Sequence, residues 1–129
     1  MSKLDDFLSL DDVSEVHETI KEVVNGKELE FVIRPVTQEE HKEFQKRSQN
    51  WSKNKVSFDN GKYTSLLLSS CIVEPNFCSE EFLKKAKCNT ADEFLNKKFP
   101  AGVLNDISQK IQKLSGFESL EMEIENAKN

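Results

Sequence analysis

The chain has 129 residues, with 18 lysines and arginines against 23 aspartates and glutamates, a formal net charge of -5, and 36% hydrophobic beside 32% charged residues. That length suits one domain around one moderate core, and nine phenylalanines give the core bulk, which excludes a disordered chain. The acidic balance excludes non-specific nucleic-acid binding by the whole surface, and four scattered glycines exclude a glycine-rich phosphate loop.

Residues 1–12 read as an N-terminal arm in which Leu4 to Leu10 (Leu-Asp-Asp-Phe-Leu-Ser-Leu) holds the spacing of one helical turn. No apolar h-region follows Met1, and Asp5, Asp6, Asp11 and Asp12 carry the wrong charge for a signal or transit peptide. The protein is therefore expected in the cytoplasm where it is made. Residues 16–34 change character. Asn25-Gly26 is the dipeptide that a two-residue type I′ turn needs, because both central positions take positive φ, so these residues are expected to form a β-hairpin. That register sets Ile20 opposite Phe31, with Val24, Leu29 and Ile33 on the same face. On the other face Lys21 stands opposite Glu30, a cross-strand pair worth a few tenths of a kcal/mol. A two-stranded hairpin is marginal alone, so its apolar face must rest on helices.

Arg34-Pro35 ends the second strand, and Thr37-Gln-Glu-Glu40 has the form of a capping box that opens a helix running to about Gln49. His41, Phe44 and Trp51 are expected to turn toward the core. Residues 48–61 are polar and turn-rich and read as a loop pinned by Trp51, Val56 and Phe58. Next comes the most continuously apolar run, Lys62 to Phe77, in which Tyr63, Leu66, Leu67, Leu68, Cys71, Ile72 and Val73 wrap nearly the whole circumference of a helix. All-round apolarity belongs to a helix covered on several sides. Asp59-Asn60-Gly61 marks its start and Glu74-Pro75 its end, so the central buried helix is expected over about Asn60 to Val73. Spanning a bilayer takes ~20 apolar residues, more than this run supplies.

Two short capped helices follow, one after Ser79 and one after the capping box Thr90-Ala-Asp-Glu93. Pro100 suits the first turn of a longer helix, in which Val103, Leu104, Ile107, Ile111 and Leu114 fall on one face. Ser115-Gly116 closes it, with Phe117 folding back as in a Schellman cap. Residues 118–129 form a tail in which Leu120, Met122 and Ile124 alternate with glutamates, a period of two that suits a strand if it pairs. The expected fold is α+β and mainly helical: one domain, 1–129, with the 16–34 hairpin packed on a 37–117 helical core of about four to five helices around the central one.

Chemistry is sparse. Zinc sites favour close Cys-x₂₋₄-Cys pairs, and the spacing of Cys71, Cys78 and Cys88 suits small reduced thiols better than a metal or a disulfide framework. A nucleophilic Cys71 needs a histidine oriented by a third group, and nothing in the sequence positions His41 for that. The carboxylates are plentiful, but no pattern separates a general acid from a general base. No cofactor and no metal site is expected. Lys42, Lys46, Arg47, Lys53 and Lys55 around Trp51 make the one nucleic-acid candidate, diluted by Glu39, Glu40 and Glu43; it supports an alternative reading as a small nucleic-acid-binding accessory protein.

The segments "VIRPVTQEEHKEF", "YTSLLLSSCIVEPNF" and "FPAGVLNDISQKIQKLSGF" and the ending "ENAKN", in that order and spacing from roughly Phe31 onward, resemble the XkdN-like tail assembly chaperones of contractile-tailed phages and prophages. The resemblance implies a non-enzymatic chaperone of the bacterial host cytoplasm that binds the tape measure protein during tail assembly and is absent from the mature virion. It also implies a frameshift-extended form of the same chain as a partner, beside tail tube or other tail proteins, and allows a homo-oligomer; no membrane is expected, and nucleic acid is expected only under the alternative reading. Ala127-Lys128-Asn129 can be encoded so that the last bases read A AAA AAC, on which ribosomes slip back by one. A chaperone of this kind needs exposed apolar anchors, and the residues expected to supply them are Leu104, Ile107, Ile111 and Leu114 on the last helix and Leu120, Met122 and Ile124 in the tail.

Overall fold

The computed structural model describes residues 3–52 and 54–117. Its N-terminal hairpin pairs β1 (Glu18–Val24) with β2 (Lys27–Ile33), and the register sets Ile20 opposite Phe31 and Lys21 opposite Glu30, as the Asn-Gly turn dictates. Asn25 and Gly26 hold φ of 53° and 82°, the left-handed values a type I′ turn demands. The Lys21 ammonium leans diagonally and pairs with Glu28 at 3.6 Å, well out in solvent. Ile20, Val24, Phe31 and Ile33 are buried on the inner face.

The sheet has a third strand that the sequence did not reveal. β5 (Ile72–Glu74) pairs antiparallel with β2, matching Val32 to Glu74 and Ile33 to Ile72. The central helix α3 (Asn60–Cys71) therefore stops before Ile72, and its last apolar residues leave as strand instead of completing a further turn. The Glu74–Pro75 peptide bond is cis. At its other end α3 is capped by the Asp59 side chain, which accepts from the Lys62 amide at 3.1 Å.

The described residues hold five further α-helices. The short α1 (Lys3–Leu8) buries none of its residues. α2 (Gln38–Arg47) starts at the expected capping box, with Thr37 accepting from the Glu40 amide and the Glu40 carboxylate reaching back. α4 (Glu80–Ala86) and α5 (Ala91–Lys98) begin at Ser79 and Thr90, whose side chains accept from the third residue of each helix. α6 (Ala101–Leu114) follows Pro100, which stands just before its first turn, and ends at Gly116 with φ of 92°. The Phe117 amide bonds to the Gln112 carbonyl at 2.8 Å and the Gly116 amide to Lys113 at 3.0 Å, the two bonds of a Schellman cap.

α3 packs against α2, α5, α6 and β5, so its all-round apolarity has covers to match. Leu67, Leu68 and Cys71 form its buried side. The short helices are held by a phenylalanine cluster: Phe77 stacks on Phe94 at 5.4 Å and meets Phe82, Phe99 and Phe31 edgewise or tilted at 5.2, 6.2 and 6.4 Å. Such pairs add about 0.5–1.5 kcal/mol each to the area they bury, which helices of two turns need. The result is the mainly helical α+β fold read from the sequence.

Residues 48–61 are not the expected loop. β3 (Gln49–Ser52) and β4 (Lys55–Phe58) form a second hairpin in which Trp51 pairs with Val56 and Gln49 with Phe58. Its base is tied by the Asp59 amide to the Ser48 carbonyl at 2.8 Å. Trp51 does not turn toward the core: it is 76% exposed, because it sits on a strand that stands off the helices instead of on α2.

Candidate partner-binding surface

The amphipathic face of α6 divides into a buried middle and two open ends. Ile107 and Ile111 are 0% exposed, locked into the chain's own core, and in this conformation they offer a partner no surface. Leu104 and Leu114, which flank them on the same stripe, are half-buried and remain reachable. Leu120, Met122 and Ile124 lie outside the described residues.

Leu104 opens into a cleft of about 300 Å³ between α3, α5 and α6. Leu68 and Leu95 share its apolar lining, while Thr64, Asn96 and Asn105 supply hydroxyl and amide groups. The cleft exists because small residues face one another here, Gly61 and Ser65 on α3 and Ala101 on α6. That volume sits at the lower end of small-ligand pockets, a size that suits an apolar side chain of a docked segment.

The far end of α6 is held at a corner where the first hairpin meets α2. Arg34 forks onto Glu40 through two bonds of 2.8 Å, and Glu40 also accepts from the Thr37 amide and hydroxyl at 3.1 Å. The Arg34 guanidinium and these bonds hold the Glu40 carboxyl down at about 2, against the cost of burial. Beside them the Val36 amide donates to Ser115 Oγ at 2.9 Å, and the His41 ring lies 5.0 Å from that of Phe117. Leu114, next to Ser115, is thus presented at a corner tied by these bonds.

On the remaining side of α6, Lys110 bonds Glu22 and Asp106, both at 3.0 Å, and so ties the helix to β1. Burial first, then the Asp106 carboxyl, raise the Glu22 carboxyl above its usual range, while Lys110 pulls it down. Asp106, accepting from Glu22, is lowered. The three groups lie at the edge of the hairpin and satisfy one another.

The other sequence candidates fall apart in space. Cys71 is fully buried, its thiol pushed up to about 12 by burial, and His41 Nδ1 bonds the Tyr63 hydroxyl instead, so no cysteine–histidine pair forms. Among the described residues, no group of three or more histidine, cysteine or acidic side chains is placed to hold a metal ion. Lys42, Lys46, Arg47 and Lys55 are exposed, as is Trp51, and Lys53 lies outside the described residues. No helix among the described residues is long and apolar enough to cross a membrane.

Comparison with known proteins adds a family and a fold. The family described as phage XkdN-like tail assembly chaperone protein matches residues 4–128. Among solved structures the chain is similar to the crystal structure of the protein yqbn, a structural genomics target, at 15% identity and a TM-score of 0.59 over 79% of this chain and 87% of that one. At that identity the likeness concerns the fold. No curated protein matches the sequence.

Proposed function

The chain belongs to the phage XkdN-like tail assembly chaperone family, and from that premise we propose that it binds the tape measure protein while a contractile tail is being built. The family is one of chaperones, not of enzymes, and its partners are tail proteins. A tape measure protein is long, helical and aggregation-prone until the tube encloses it. Its chaperone needs apolar anchors to cover that surface and a net charge far enough from zero to keep the pair dissolved, and this chain carries -5.

The observation that carries the reading is Leu104 opening into an apolar-floored cleft between three helices, the form a groove takes when it receives a side chain from an amphipathic helix. Leu114 at the opposite end of α6 is the second proposed anchor. The two are ten positions apart, about 15 Å along the helix axis, a span that one partner helix covers in three turns. Ile107 and Ile111 act through this arrangement by fixing α6, and Leu120, Met122 and Ile124 are proposed to add contacts beyond it. The same reading has the protein working in the host cytoplasm and leaving before the virion is finished. It takes the chain as the shorter product of a frameshifted pair, which a gene lacking A AAA AAC over the codons of Ala127 to Asn129 would contradict.

Co-expression with the tape measure protein encoded beside it tests the reading. The expected result is a soluble complex that co-elutes on size exclusion, with the tape measure found in the pellet when expressed alone. A tape measure that stays insoluble with this chain and with any extended form of it would overturn the proposal.

A further inference from the structure

Two parts of the surface are left uncovered in a way that their own stability does not explain. The N-terminal arm carries Leu4, Phe7, Leu8 and Leu10 at 66–74% exposure, and its helix of six residues buries nothing. Isolated helices of that length are marginal in water, and most helical stability comes from an apolar face packed on something. The second hairpin is little better covered, meeting the helices through Phe58, whose ring lies 6.0 Å from that of Tyr63. Gln49, Trp51, Val56 and Phe58 share one face and Asn50, Ser52, Lys55 and Ser57 the other, and every residue of both strands is exposed, with Trp51 at 76%, Val56 at 51% and Phe58 at 46%. Two-stranded hairpins need a third strand or a packed face to be stable. Within one copy neither patch covers the other.

Their charges are opposite. Residues 3–16 hold five acids and one lysine, with Asp5, Asp6, Asp11 and Asp12 interleaved among the apolar side chains. Residues 42–62, which flank and include the hairpin, hold six bases and two acids. An acidic apolar segment and a basic apolar platform on one chain are complementary between two copies. We propose that the N-terminal arm of one copy docks on the Trp51/Val56/Phe58 face of a second copy, so that the chain associates with itself through two unlike surfaces.

The contact puts Phe7 and Leu8 against the indole of Trp51, removes both apolar patches from water, and seats the arm's carboxylates beside Lys46, Arg47 and Lys62. Because the two surfaces differ, the contact is heterologous: it closes if two copies exchange arms and extends if they do not. Exposed charges frame it, so added salt weakens it. The proposal is independent of tape measure binding, since it uses neither α6 nor the tail.

Light scattering coupled to size exclusion across a concentration series tests it, on the full chain and on Phe7→Asp and Trp51→Ser. Neither side chain contributes to the core, so circular dichroism should match the wild type; if Trp51→Ser loses its spectrum, Val56→Ser replaces it. The wild type is expected to gain mass with concentration and to lose that gain in high salt. Each variant alone should stay monomeric, and an equimolar mixture should regain heterodimer, because one variant keeps its hairpin and the other its arm. A wild type that is monomeric throughout overturns the proposal, as does self-association insensitive to either variant, or a mixture that stays monomeric. Binding of a single-stranded oligonucleotide that quenches Trp51 in a monomer showing no self-association would also overturn it, and assign the face to nucleic acid.

Discussion

Arg34 and Glu40 meet as a two-pronged ion pair, Nη1 to Oε1 and Nη2 to Oε2 at 2.8 Å each, with 16% and 25% of their side chains exposed. The pair joins the end of β2 to the first turn of α2, and Glu40 simultaneously closes the capping box with Thr37. Since its carboxyl is held at about 2, its contribution is fully present above the ordinary glutamate range and is lost as pH falls through the folded value. Glu40→Gln keeps the shape and removes the charge. It should lower unfolding stability by about 2–3 kcal/mol at pH 7, and the gap to wild type should close as pH falls from 5 toward 2. Urea unfolding across that range checks this; a gap that stays constant would contradict the assignment.

Phe77 touches four other phenylalanines, Phe31 of β2, Phe82 of α4, Phe94 of α5 and Phe99 just after it, so its loss removes the common neighbour of α4, α5 and β2. Phe77→Ala should cost about 3–5 kcal/mol, and Phe77→Leu, which keeps most of the volume, under about 2. Thermal unfolding by circular dichroism distinguishes them, and equal costs would mean that the ring packing matters less than its position suggests.

Lys110 bridges two carboxyls that already meet, and its removal leaves Glu22, 11% exposed, against Asp106 with no cation between them and solvent. Lys110→Met should lose roughly 1 kcal/mol at neutral pH, a figure kept low because Lys110 is 39% exposed. A group with a raised folded pKa stabilises below its unfolded value and loses that contribution as pH rises, so protonating Glu22 should restore the variant as the pH is lowered. A loss that grows on acidification would contradict this.

Alkylation with iodoacetamide should follow exposure. Cys78 is exposed, Cys88 half-buried and Cys71 buried with its thiol held neutral, so mass spectrometry should find label on Cys78 first and on Cys71 only after unfolding. Early labelling of Cys71 would mean that α3 opens far more readily than its packing implies.

What the sequence made legible was local chemistry. Asn25-Gly26 fixed a turn and through it the register of seven pairs, and Thr37, Asp59, Ser79, Thr90 and Gly116 announced helix ends because caps are made within three or four residues. What escaped depended on distant partners. Ile72 to Glu74 continue the apolar run of α3 and read as helix until Val32 and Ile33, forty residues earlier, claim them as a strand. Gln49 to Phe58 pairs locally but lacks a buried face, so in sequence its Trp51, Val56 and Phe58 read as loop anchors. On α6 the spacing announced a face but not its cover: Ile107 and Ile111 are spent on the core, and the Leu104 cleft arises only where α3 and α5 close around it.

The most direct measurement is a titration of a labelled helical segment of the tape measure protein, by fluorescence anisotropy, with wild type, Leu104→Asp and Leu114→Asp, each checked for an unchanged unfolding midpoint. The account predicts saturable binding by wild type that weakens about tenfold or more, at least 1.4 kcal/mol, in either folded variant. Undiminished affinity in both folded variants would contradict α6 as the contact, and absence of wild-type binding to every segment would contradict the chaperone's proposed client.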